Sequence, residues 1–121
     1  MNCHLLEIEK IKTPVDLIWS LNTINEVFER SGHFSIEIQR CKYCGQPFVK
    51  VYAEITYIHT GRSDDDSWVY FVPIEENEID ELKDSKDKCL KLFEERKHIT
   101  IDCEDKMYWN TNSINWIMQY V

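Results

Sequence analysis

An α+β fold is predicted: a single domain over residues 1–121, with an antiparallel sheet of about four to five strands and two main helices. Three observations predict it. Runs of β-branched and aromatic residues alternate with polar ones on both sides of the turn Cys41-Lys42-Tyr43-Cys44-Gly45-Gln46-Pro47. Helix-period stripes lie before and after that block instead of interleaving with its strands. No linker, internal repeat or low-complexity tract divides the chain, and 121 residues suffice to bury a core.

Leu5 to Lys12 alternates loosely through Leu6, Ile8 and Ile11, which suits a short strand or an extended arm and leaves Cys3 and His4 mobile unless something ties them. A helix is predicted from Pro14 to Ser31. Thr13 is its cap, Pro14 suits the first helical position because its missing N–H is not needed there, and Asp16 meets the helix dipole. Ile18, Leu21, Ile24 or Asn25, and Phe28 draw its apolar stripe, with Trp19 at the core edge and Gly32 as the stop.

Phe34 to Ile38 enters the cysteine turn as a strand and Phe48 to Ile55 leaves it, Gly45 supplying the positive φ that the turn needs. Val49, Val51, Ala53, Ile55 and Tyr57 form the core face; Phe48, Lys50, Tyr52, Glu54 and Thr56 form the other. Turn formers and acids from His59 to Ser67 make a long connection to the strand Trp68 to Val72, which Pro73 ends. These runs make a three-strand meander. A second helix starts near Asn77 with Asp80 three residues on; its stripe of Ile79, Leu82, Cys89 or Leu90, and Phe93 is interrupted at Lys86, so two short helices are the alternative. Ile99-Thr100-Ile101, a turn through Glu104-Asp105-Lys106, aromatic Tyr108-Trp109, and a final strand from Ile114 to Met118 close the chain.

Four Trp, six Tyr and five Phe exclude disorder. Met1 to Glu7 lacks the basic and apolar regions of a signal peptide, and no run is long enough to span a bilayer, so a cytoplasmic location without membrane contact is expected. Cys3, Cys41, Cys44, Cys89 and Cys103 are therefore expected to be free thiols or metal ligands, not a disulfide framework. The net charge of -8 is concentrated: residues 64–87 hold ten acids against two lysines, while the other twelve acids meet twelve bases. Such a stretch repels nucleic acid and attracts a basic partner; the alternative is a solvated face that aids solubility.

Cys41 and Cys44 are the candidate metal ligands. Two thiols three residues apart can grip one zinc ion, and the remaining ligands would come from Cys3 or His4, His33, His59, Cys89, His98 or Cys103. The competing reading is a turn that is structural without any metal. Thioredoxin-type redox chemistry needs a helix N-terminus beside the thiols, whereas a strand follows Pro47. With no Gly-x-Ser-x-Gly elbow, phosphate-cradling loop or His-Glu-x-x-His helix, no enzyme is expected. Direct nucleic-acid binding is not expected either, since Lys and Arg are interspersed with acids.

The chain resembles small bacterial immunity proteins of polymorphic and contact-dependent toxin systems. The resemblance covers about residues 34–118. It rests on Cys41-x-x-Cys44-Gly45-Gln46, the aromatic and acidic strand after it, an acidic loop, Val72-Pro73-Ile74, a helix, Ile99-Thr100-Ile101-Asp102 and Trp116. It implies a protein that is not an enzyme and that binds a cognate toxin domain, often a nuclease, and blocks or distorts its active site; no contact residue carries over. From the charge map, Asp64, Asp65, Asp66, Glu75, Glu76 and Glu78 are the candidate partner-binding acids. Trp68 and Tyr70, with Tyr108 and Trp109, are candidate anchors against a reading of simple core packing. The alternative function is a zinc-knuckle adaptor for another protein. Replacing Asp64, Asp65 and Asp66 together by Asn should slow association with a basic partner and flatten its salt dependence in stopped-flow measurements; an unchanged on-rate removes this loop from the interface.

Overall fold

The computed structural model describes residues 3–56 and 65–120. Two single-turn 3-10 segments, His4–Leu6 and Ile8–Lys10, lead into α1 (Pro14–Trp19). There follow β1 (Leu21–Arg30), β2 (Phe34–Cys41), β3 (Pro47–Thr56) and β4 (Asp65–Pro73). After a 3-10 turn at Glu76–Glu78 come α2 (Ile79–Leu82), α3 (Lys86–Glu95), β5 (His98–Ile101), β6 (Met107–Asn110) and a 3-10 segment, Asn115–Tyr120. The six strands form one antiparallel sheet in the order β1-β2-β3-β4-β5-β6, each neighbouring the next in sequence. The α+β class is therefore as predicted, with one or two strands more than expected.

The main correction lies in Leu21–Arg30, predicted as helix and observed as a strand. Thr13 caps α1 by accepting from the Asp16 N–H, and Pro14 occupies the first turn, but the helix stops at Trp19. Beyond it β1 pairs with β2, and the register slips between Thr23 and Asn25 and again between Glu26 and Phe28, leaving Ile24 and Val27 as extra residues. Each bulge adds one residue to a period-two strand. The resulting three- and four-residue spacing of Leu21, Asn25 and Phe28 imitates a helical stripe. The β-branched residues Thr23, Ile24 and Val27 favour the extended backbone that is formed.

The sheet is covered on both faces, where one core face was expected. On one, Phe34, Ile36, Ile38, Val49, Val51, Ala53, Ile55, Tyr70 and Val72 pack against Leu82, Cys89, Phe93, Ile114 and Ile117. On the other, Phe48, Val69, Phe71, Ile99 and Ile101 pack against Leu5, Ile8 and Leu17. The amino-terminal arm is thus a packed lid of short turns, not a strand. Ile114 to Met118, predicted as a strand, supplies Ile114 and Ile117 to the first core largely through 3-10 turns. The predicted core residue Tyr57 and the connection from His59 to Asp64 lie outside the described residues.

The second helical region divides at the predicted interruption. Glu75 and Glu78 form a capping box ahead of α2, in place of Asn77 as the cap, and Ser85 caps α3 by accepting from the Lys88 N–H at 3.2 Å. Lys86 then lies at the start of α3 with its Nζ 4.5 Å from the Phe28 ring centroid, so its charge stays at the rim of the core.

His98 is fully buried against Tyr70 and Phe93. Its Nδ1–H donates to the Arg96 carbonyl at 3.2 Å, and Nε2 has no partner among the described residues. Burial holds its pKa below the ordinary 6.5, with the Arg96 hydrogen bond opposing. The folded state therefore keeps His98 neutral, while the unfolded chain takes up a proton below about 6.5. Its contribution is complete above that pH and is lost as pH falls towards the depressed folded value. Urea midpoints measured between pH 7 and pH 5 should fall more steeply for the wild type than for His98→Leu; parallel curves would show that His98 does not couple folding to pH.

Candidate metal centre

The cysteine turn closes as its composition predicts. The Gly45 N–H donates to the Cys41 carbonyl at 3.0 Å, the Cys41 N–H donates to the Gln46 carbonyl at 3.0 Å, and Gly45 has φ +82°. Among the described residues, chain neighbours aside, no atom lies within 4 Å of where a Cβ at Gly45 would be, so what demands glycine there is backbone conformation, not space. Three further contacts fix the turn. The Lys42 N–H donates to the Ser20 carbonyl at 2.9 Å, and Gln46 Nε2 donates to the Pro47 and Ile74 carbonyls, each at 2.9 Å.

The other half of the site comes from the amino terminus. Leu5 and Ile8 are buried in the outer core, and the Leu6 N–H closes on the Cys3 carbonyl at 3.0 Å. This packing carries Cys3 and His4 to the end of β2. One ligand atom each from Cys3, His4 and Cys41 lies within 4.8 Å of the other two, so these residues could hold a metal ion. Ligands around a tetrahedral zinc stand about 3.8 Å apart, so small side-chain adjustments would close the set. Cys44, the exposed thiol of the turn, lies outside that converging set, though close enough to Cys3 and Cys41 for the thiols to perturb one another's ionisation. The His4 ring also packs edge-on against Tyr43, 5.4 Å between centroids.

The thiols differ in character. Cys3 is buried, and desolvation, helped by its hydrogen bond to Cys44, pushes its pKa up to about 12. Cys44 is exposed and shifted the other way, chiefly because the Gln46 N–H points at its sulfur. Cys44 thus ionises more readily than an ordinary thiol and Cys3 less readily. An ion bound here would offset the desolvation that holds Cys3 protonated.

The remaining candidate ligands lie elsewhere. Cys89 donates to the Leu82 carbonyl inside the other core at 3.2 Å, and Cys103 is exposed in the β5–β6 turn. His33 Nδ1 is 3.2 Å from Glu54 Oε1, His98 is buried among aromatic rings, and His59 is outside the described residues. Thus the structure brings Cys3 and His4 to Cys41, where the sequence leaves the choice among seven residues open, while Cys44, the other expected ligand, stands outside the set that converges within 4.8 Å. All five cysteines are free thiols, and among the described residues no helix is long and apolar enough to cross a membrane.

The candidate partner-binding residues do not form one patch. Tyr70 is buried, and Trp68 is half-buried edge-on against Trp116 at 5.1 Å, so Tyr70 belongs to core packing and Trp68 to its margin. Asp65 and Asp66 open β4, whereas Glu75, Glu76 and Glu78 follow its end. Glu76 is engaged by the Arg40 guanidinium and Glu78 by Arg96, with Arg96 Nη1 to Glu78 Oε1 at 3.0 Å. Both pairs hold the Glu75–Glu78 turn to the sheet and to the end of α3. Asp64 lies outside the described residues.

No family model, curated protein or solved structure matches this chain. The chemistry therefore rests on the side chains themselves. In metal-free protein, iodoacetamide should modify Cys44 first, because its thiolate is populated at a lower pH than an ordinary thiol, whereas burial and then Asp66, Asp102 and Glu104 raise Cys103. Peptide mapping of a timed quench between pH 7 and 8 checks the order; faster labelling at Cys103 would show that Gln46 does not activate Cys44.

Proposed function

We propose that this protein is a non-catalytic protein-binding module whose amino-terminal arm is locked to the sheet by a zinc ion held by Cys3, His4, Cys41 and Cys44. The observation that carries the reading is the convergence of Cys3, His4 and Cys41 within 4.8 Å beside the Cys41–Cys44 turn. Three thiols and an imidazole are a donor set that favours zinc, and four protein ligands leave no position for a reacting water, which is the arrangement of a structural centre. The ion would join residues 38 apart in sequence, from Cys3 to Cys41, and so closes a long loop.

The proposed partner is a basic protein. The acidic excess between residues 64 and 87 supports this, and the partner is taken to be the cognate toxin domain of the immunity resemblance. The exposed acids Asp65, Asp80, Glu81, Asp84 and Asp87 are the steering charges in this reading, while Glu76 and Glu78 hold the turn. A zinc-knuckle adaptor is the second reading. It is favoured by the same centre and differs only in the partner.

Protein purified without chelator should contain one zinc per chain by elemental analysis, and chelation should lower its melting temperature. Cys44→Ser should weaken zinc binding on the order of 100-fold or more, measured by competition with a chromophoric chelator, and remove a thiolate-to-metal band from the cobalt-substituted spectrum. Full stability in excess chelator together with no bound metal would remove the centre. Capture at low salt of a single basic toxin domain, released as salt rises, supports the immunity reading; capture of another basic protein supports the adaptor.

A further inference from the structure

Beside the thiol–imidazole cluster is an open cleft of about 490 Å³ lined by His4, Asp16, Trp19, Ser20 and Tyr43. Trp19, expected at the core edge, and Tyr43 are 72% and 75% exposed, the highest values among the exposed large apolar side chains of the described residues. A single exposed aromatic residue is ordinary, but two on the rim of one concavity are the arrangement of a binding site. Both stand on fixed backbone. Trp19 ends α1, whose next residue, Ser20, accepts from the Lys42 N–H, and Tyr43 lies between two of the thiols with its ring against His4.

The polar wall of the cleft is anionic. The Asp16 backbone is committed to the helix, its N–H to Thr13 and its carbonyl to the Ser20 hydroxyl at 2.6 Å, yet its carboxylate makes no hydrogen bond or ion pair among the described residues. The adjoining recess shares His4, Asp16 and Ser20 and adds Lys10 and Lys12. Lys10 is held by Glu7 at 2.6 Å, which leaves Lys12 as the opposing charge. A zinc ion with three thiolates and a neutral imidazole carries a net charge of about -1, which adds to Asp16 and outweighs Lys12.

We propose that this cleft binds an arginine side chain presented by the basic partner, a proposal that rests on the zinc-centred reading above. Guanidinium is the cation that matches the walls. Its flat faces stack on indole and phenol rings, and its fork meets a carboxylate with two parallel hydrogen bonds. A lysine ammonium would satisfy the charge but not both rings. The cleft then selects within a basic partner what the diffuse acids of residues 64–87 only attract.

The test is a titration of the full-length, zinc-loaded protein with N-acetylarginine amide, followed by amide and indole NMR signals, with N-acetylcitrulline amide as the neutral isostere. The arginine compound should shift the Trp19 indole N–H and the Ser20 amide saturably, and citrulline should bind about tenfold more weakly. Asp16→Asn should remove most of that preference and Trp19→Ala should abolish saturable binding, both with unchanged zinc content and circular dichroism. Equal responses to the two compounds, or an unaltered preference in Asp16→Asn, overturn the proposal. Zinc content of the same sample separates this result from the parent reading. Zinc-loaded protein without arginine preference loses the cleft and keeps the centre; zinc-free protein that retains an Asp16-dependent preference loses the centre and keeps the cleft.

Discussion

The constraint on which the rest depends is that both faces of the sheet are apolar. Phe48, Phe71 and Ile99 on the outer face are each fully buried, and what buries them is a segment with little intrinsic stability: two 3-10 turns and a six-residue helix. Isolated helices of that length do not persist in water. Packing of Leu5, Ile8 and Leu17 therefore holds the arm, at roughly 1.5–3 kcal/mol for each such side chain buried. The same packing delivers Cys3 and His4 to the cysteine turn. Core and candidate site are two consequences of one docking event, and a metal ion would act at the amino-terminal end of that lid.

How legible each part is depends on whether its pattern is local. β2, β3 and β4 alternate without interruption on the inner face, and their pairing follows from one short turn and one acidic connection, so the meander is readable residue by residue. β1 is not, because bulges at Ile24 and Val27 replace alternation with a spacing that a helix also produces. The arm and the segment after Ile114 are unreadable for a different reason: 3-10 turns have no amphipathic period long enough to recognise. The site divides in the same way. Cys41, Cys44 and Gly45 announce a turn through spacing alone, whereas Cys3 and His4 reach Cys41 only through the covering of the outer face, a tertiary fact with no sequence period.

Electrostatics follows a similar division between structure and surface. The Arg40–Glu76 and Arg96–Glu78 pairs are bidentate and join the connection after β4 to a central strand and to the end of α3. Exposed pairs such as Lys83–Asp80 or Lys91–Glu95 contribute about 0–1 kcal/mol and leave the field of the acidic stretch largely intact. An acidic run in a sequence thus mixes residues that fasten the chain with residues that only charge it, and the arginines opposite them distinguish the two.

The bulges of β1 have a consequence beyond the misleading spacing they create. β1 is an outer strand of an open sheet, ten residues long and rich in β-formers, and an unpaired flank of that length is an invitation to strand addition by another molecule. Two register breaks within six residues spoil the even ladder of donors and acceptors that an incoming strand would need, and exposed Glu26, Glu29 and Arg30 place charge along the same border. The opposite border is β6, only four residues long. One interrupted margin and one short margin make this sheet a poor template for strand addition along either border.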